Sequence, residues 1–248
     1  MAKQDSDTTL CFPGENGWEL WAEKSGRMVC VETRPMKEGS EEGSQPFRSA
    51  THYAFPVNSV FAVPIWTATD APDMLGSLVE MQLEKSGLKP DSSSGRMLDY
   101  RTVQKVDSGE EGKGPRNLVL ATVLNSDYEH PLPDKGAREF DVSPRFLNLP
   151  GNHIVIWREL GRLVAALTRN GEVVYFQGLN SNEFDVAAVQ EIRCVLLGLD
   201  GAGPVSNEER SQDILSQISG IQVWLEDADK AVVEELQKAL DMDAIIAL

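Results

Sequence analysis

Short runs of apolar residues broken by turn-forming dipeptides open the chain. Residues 10–12 and 17–21 flank Pro13-Gly14-Glu15-Asn16, and residues 28–32 follow Ser25-Gly26. Pro-Gly and Asn-Gly supply turn geometry, so the spacing predicts a three-stranded meander. Residues 37–49, rich in Gly, Ser and Glu, predict an exposed loop. Residues 57–66 carry β-branched and aromatic side chains and predict a strand. Thr69-Asp70-Ala71-Pro72-Asp73 then has the cap, the early proline and the acids of a helix start. Leu75, Leu78, Val79 and Leu83 mark its inner face, and Gly87 is a natural stop. Residues 99–107 and 117–125 predict two strands joined by a Gly-rich tip at 108–115. Residues 127–150, with Pro131, Pro133, Pro144 and Pro150, read as a connection.

The second half is more regular. Residues 153–157, 162–168 and 172–177 alternate, separated by Glu-Leu-Gly and by Arg169-Asn170-Gly171, a strong hairpin signal. Ala188, Ile192, Val195 and Leu199 recur at helical spacing up to Asp200-Gly201. Ser206-x-x-Glu209 is a capping box ahead of Ile214, Leu215 and Ile218, and Gly220 ends that helix. Residues 221–225 predict a strand. Val232, Val233, Leu236 and Leu240 form one face of a last helix that starts among Glu226, Asp227 and Asp229. The order is β-β-β-α-α-β-α-β, and the chain is α/β. It divides into a lobe of residues 1–150, with an inserted hairpin at about 91–130 and the connection, and a lobe of residues 151–248.

Composition narrows the function classes. The chain has 248 residues, 41% of them hydrophobic, enough for a core. Its net charge of −16 opposes binding to nucleic acid and to anionic lipid and suits a basic partner surface. Cys11, Cys30 and Cys194 are odd in number and form no Cys-x-x-Cys pair, which predicts buried free thiols rather than a disulfide framework or a zinc site. The polar N-terminus lacks a signal-peptide core, and no run of about 18 apolar residues predicts a membrane span. Residues 172–178 match the cleavage pattern of a viral protease used to remove purification tags; their alternation marks them as a strand of the protein itself.

A three-stranded meander followed by α-β-α, as in the second half, resembles the half-domain of the actin-like ATPase superfamily, and the first half repeats the idea as meander, strand, helix and an inserted hairpin. Two stretches sharpen the likeness. Phe55-Pro56-Val57 to Pro64, with the acidic helix ending Leu78-Val79-Glu80-Met81-Gln82-Leu83-Glu84-Lys85, resembles a segment of pilus-assembly PilM proteins and of GspL cytoplasmic domains. Ile156-Trp157-Arg158-Glu159-Leu160-Gly161-Arg162-Leu163, with Thr168 to Val174 after it, is similar to their second-lobe meander. The resemblance implies an actin-like (ribonuclease H-like) two-lobe architecture, with helices packed on mixed sheets. It implies a scaffold on the cytoplasmic face of a bacterial inner membrane, joining a motor ATPase and platform subunits of a type IV pilus or type II secretion machine. The PilM type binds a short peptide of a membrane partner, and the GspL type continues into a membrane helix. The apolar ending at 243–248 suits the second arrangement. Self-association as a homodimer is compatible with either.

The superfamily also implies where nucleotide would bind. Actin-like ATPases hold phosphates at an Asp-x-Gly turn in each lobe's first hairpin, with magnesium held through water by the carboxylate and a Gly-rich segment under the adenosine. In the first turn Pro13 stands where the carboxylate belongs, beside Gly14 and Gly17. In the second, Arg158-Glu159-Leu160-Gly161, Glu159 stands two before Gly161, the right spacing but with a longer side chain. Of the adenosine glycines only Gly220 is present. The expectation is a non-enzymatic scaffold with no cofactor. The alternative is a divergent ATP-binding protein using Gly14, Gly17, Glu159, Gly161 and Gly220, with magnesium beside Glu159.

Other chemistry is absent from the motifs. Gly109 to Gly114 lacks the spacing of a phosphate loop. His52, His130 and His153 are isolated, and no nucleophile context accompanies any Ser or Cys. Asp185, Glu191, Asp227 and Asp229 fit helix starts or exposed faces.

Overall fold

A computed structural model describes residues 8–36, 46–69, 71–88, 97–106, 116–125, 139–201 and 217–247. The predicted meander forms as β1 (Thr9–Pro13), β2 (Gly17–Lys24) and β3 (Arg27–Pro35). β4 (His52–Phe55) pairs parallel with β1, and β8 (Glu139–Val142) pairs parallel with β4. The first sheet therefore runs β3-β2-β1-β4-β8. The second repeats it. β9 (His153–Glu159), β10 (Arg162–Arg169) and β11 (Glu172–Gly178) form an antiparallel meander, and β12 (Gly220–Val223) and β13 (Ala244–Ile246) add in parallel beside β9. Its order is β11-β10-β9-β12-β13. Helices α2 (Val186–Gly201) and α3 (Lys230–Leu240) lie in its two crossovers, as parallel pairing requires. Asp185 and Asp229 cap them, accepting hydrogen bonds from Ala188 N and Ala231 N.

The first sheet's second crossover holds a separate unit instead of a lone helix. β5 (Val60–Thr67), α1 (Pro72–Lys85), β6 (Met97–Val106) and β7 (Arg116–Leu124) build a sheet of order β5-β7-β6 with α1 on one face. The hairpin within residues 91–130 is thus joined to β5 and α1.

Several expectations change. The strand predicted over 57–66 is preceded by β4, because Pro56 breaks one apolar run into two strands of different sheets, joined by a 3-10 turn at Val57–Ser59. The connection at 127–150 contains β8 and a 3-10 turn at Ser143–Phe146; four residues of weak alternation become a strand only because β4 offers an edge. The cap of α1 falls on Ala71 with Pro72 following, and Thr69 Oγ1 accepts from Ala71 N instead. Of its predicted inner face, Leu75, Val79 and Leu83 are core and Leu78 is half-buried. Only Cys11 is buried: Cys30 lies on the edge strand β3, exposed throughout, and Cys194 on the outer side of α2. The capping-box helix at 206–218 lies largely outside the described residues, as do the tip at 108–115 and His130.

Three cores result. α2 and α3 cover one face of the second sheet through Ile154, Ile156, Leu163, Val189, Ile192 and Leu236. The opposite face, with Val155, Trp157, Val164 and Phe176, packs on Trp18, Tyr53 and Phe55 of the first lobe. β9 is therefore buried on both faces, which explains its nearly continuous apolar sequence. The third core, Ile65, Leu75, Val79, Leu83, Val119, Ala121 and Val123, lies under α1.

Candidate functional site

The β1–β2 turn and the β9–β10 turn meet between the lobes. Leu160 and Gly161 both take positive φ, 49° and 75°, the geometry of a two-residue hairpin turn matched to strand twist. Glycine reaches that region freely; leucine is unusual there. The neighbouring turn accounts for it. Leu160 N donates to Gly14 O at 2.8 Å, and Gly161 N donates to Glu15 O at 2.9 Å. The leucine side chain packs on the inter-lobe core.

Arg158 and Glu159 project to opposite sides of β9. The Arg158 guanidinium lies 2.6 Å from Glu15 Oε1 and 3.2 Å from Asp227 Oδ2, linking the first-lobe turn to the segment after β12. Burial works against its charge, yet hydrogen bonds and the field of Glu15 and Asp227 hold it above its ordinary value. Glu159 is fully buried. It accepts from Val57 N at 2.9 Å, Ser143 Oγ at 2.5 Å and Trp157 Nε1 at 2.9 Å. Burial pushes its carboxyl up to about 7, partly offset by those three hydrogen bonds.

The first turn's glycines have packing reasons. A Cβ on Gly14 would collide with Glu19 Oε1, and one on Gly17 would collide with the Arg34 carbonyl oxygen. The turn-to-turn hydrogen bonds bring Gly14 beside the Glu159-Leu160-Gly161 turn, while Gly17, at the start of β2, faces β3. Gly220 lies apart. It pairs with His153 at the start of β9, whereas Glu159 ends that strand, roughly 20 Å away at the rise of a strand. The close approach of Asp243 O, which would lie 3.0 Å from an added Cβ, explains a glycine there.

Partners that sequence reasoning missed are Val57, Ser143 and Asp227. They reach this place from 102, 16 and 69 positions away along the chain, distances over which no local pattern reports. Asp227 had the look of a helix-start acid. Elsewhere, His52 Nε2 sits 3.4 Å from Glu139, Asn180 donates to Glu191, and the ring of His153 contacts Gly151 O. Among the described residues no group of three or more His, Cys, Asp or Glu could hold a metal ion.

No family model matches the sequence, and no curated protein matches it. Solved structures do. A chain of a PilM-PilN type IV pilus biogenesis complex is similar over 99% of this chain and 89% of its own, with a TM-score of 0.54 at 13% identity. The fold is actin-like, as in PilM. A Bacteroides thetaiotaomicron protein with an actin-like ATPase fold is similar over 98% of this chain and 92% of its own, with a TM-score of 0.48 at 10% identity. The cytoplasmic domain of EpsL, an inner-membrane component of the Vibrio cholerae type II secretion system, is similar over 94% and 93%, with a TM-score of 0.42 at 6% identity. The two five-stranded sheets of this chain share one strand order, a meander followed by two parallel strands beside its first strand. Among the described residues no helix is long and apolar enough to cross a membrane.

Proposed function

We propose that this chain is a scaffold of a type IV pilus or type II secretion assembly platform, working at the cytoplasmic face of the inner membrane without nucleotide. The observation that carries the reading is the direct bonding of the two turns. Phosphate binding needs free backbone amides aimed at the anion. Here the amides of Leu160 and Gly161 are bonded to the carbonyls of Gly14 and Glu15. Glu159, at the spacing of a magnesium-side carboxylate, faces inward to three donors of the protein itself. Gly220 lies at the other end of the sheet. These residues do not fit ATP with magnesium, and no catalytic step follows from them.

The PilM likeness supports the positive half of the reading, because the solved relative belongs to a complex with PilN. The net charge of −16 favours basic partner surfaces and speeds their encounter. Two measurements test the proposal. Pull-down with the platform and motor proteins encoded by its own organism is expected to recover at least one of them; no association at micromolar concentration overturns the scaffold. Titration with ATP and magnesium is expected to give no heat and no shift in melting temperature. A clear shift would instead place the chain among divergent ATP-binding proteins.

A further inference from the structure

Among the described residues Glu159 is the one charged side chain that is fully buried, and neither lobe explains it alone. Its donors lie on different elements. Val57 follows β4 after Pro56, and Ser143 directly follows β8, the two parallel strands at one edge of the first sheet. Trp157 belongs to β9, the central strand of the second sheet. One carboxylate therefore ties the ends of two first-lobe strands to the end of a second-lobe strand.

We propose that Glu159 is a proton-responsive latch that sets how firmly the two lobes close on each other. The hydrogen bonds survive in both states of the group. Ionised, the carboxylate accepts from all three donors. Protonated, its O–H donates to Ser143 Oγ, because a hydroxyl can turn from donor to acceptor, while Val57 N and Trp157 Nε1 still donate. The contact changes strength and does not break. None of the three partners titrates in the neutral range.

Titratable side chains on the surrounding elements are engaged elsewhere: His52, at the start of β4, sits beside Glu139, and the ring of His153, at the start of β9, contacts Gly151 O, both at the strand ends opposite Glu159. Arg145 of the Ser143–Phe146 turn pairs with Asp141 and Asp99, and Arg158 of β9 pairs with Glu15 and Asp227. Glu19 of β2 accepts from Trp21. Burial holds the Tyr53 hydroxyl of β4 well above its ordinary value, so it stays neutral throughout. Glu159 is thus the group at this contact positioned to respond between pH 5 and 8.

The direction follows from linkage. The folded carboxyl titrates near 7 and the solvated one near 4.5, so closure holds the proton more tightly than the open state does. The stabilisation is fully present below 4.5 and is lost as the pH rises through about 7. The latch is tight in mild acid and loosens in mild base. It does not rest on the scaffold reading, since it concerns the chain without any partner or nucleotide.

Hydrogen exchange by mass spectrometry on the full chain, corrected for the intrinsic pH dependence of exchange, reads the latch through peptides covering residues 56–60 and 157–162. Protection is expected to fall by about tenfold or more between pH 5.5 and 8.5. Glu159→Gln removes the titration, and its protection is expected to be level over the same range. Ser143→Ala removes one donor to the ionised form, and its midpoint is expected to move upward. Wild-type protection that is level across this range overturns the proposal, as does Glu159→Gln keeping the wild-type slope. Where Glu159→Gln fails to fold, an unchanged midpoint in Ser143→Ala overturns it.

Discussion

At the scale of single residues, close approach decides more than conformation does. Gly17 illustrates this: an added methyl would collide with the Arg34 carbonyl oxygen and meet the Pro35 Cα at 2.8 Å, both backbone atoms of the adjacent strand. Gly17→Ala must push β3 away from β2 and is expected to destabilise the protein by about 1–3 kcal/mol, read by urea unfolding. Cys11 is a second case. It is buried, its sulfur accepts from Phe47 N at 3.3 Å, and burial pushes its thiol up to about 12. The thiolate is the nucleophile, so Cys11 is expected to resist iodoacetamide in the native protein while Cys30 and Cys194 are alkylated. Unfolding in guanidinium should add the third adduct, and mass spectrometry counts them.

At the scale of elements, α1 shows how a helix is specified and what it holds. Its end is a complete cap: Gly87, at φ 77°, donates to Glu84 O, and Leu88 donates to Leu83 O. Its inner face, Leu75, Val79 and Leu83, closes the small core over β5 and β7. That core is distinct from the two larger ones, so damage to it should stay local. Leu83→Ala is expected to cost about 2–5 kcal/mol and to speed hydrogen exchange in β5, α1, β6 and β7 before the five-stranded sheets respond. The periodicity of α1, and of α2 and α3, was legible because a helix on a core repeats its apolar face every three to four residues. β4 and β8 were not legible. Each has four residues, too few for a period-two pattern to stand out, and each is a strand because a neighbour offers parallel pairing.

At the scale of the whole molecule, two like sheets are fastened at their turns. The fastening has a charged part outside and a neutral-range acid inside. Arg158 bridges Glu15 and Asp227, whose side chains are exposed to water at 39% and 58%, so the pair energy is modest and screened. Arg158→Gln is expected to lower stability by about 1 kcal/mol or less at low ionic strength. The loss should shrink at about 1 M salt, where the screening length falls to roughly 3 Å, as denaturant titrations at both salts would register. A loss unaffected by salt would mean that packing of the arginine stem, and not its charge, joins the lobes.

The order of the second half was readable, because meander, helix, strand, helix and strand follow at spacings that local turn chemistry and apolar periodicity report. In the first half the meander, β5 and α1 were readable, whereas the strands that complete its sheet were not. The identity of the two turns was readable too, because Pro13-Gly14-Glu15-Asn16 and Glu159-Leu160-Gly161 carry their own conformational demands. What the turns do was not. A free amide and one bonded to a carbonyl have the same sequence, and so do a carboxylate facing water and one facing Ser143, Trp157 and Val57. The approach of the lobes decided between them. It set the donors of Leu160 and Gly161 against Gly14 and Glu15 and enclosed Glu159, and it left Gly220, aligned with them by family pattern, at the far end of the sheet. Local propensity specifies elements, whereas burial and hydrogen-bond partners depend on which surfaces fold against each other.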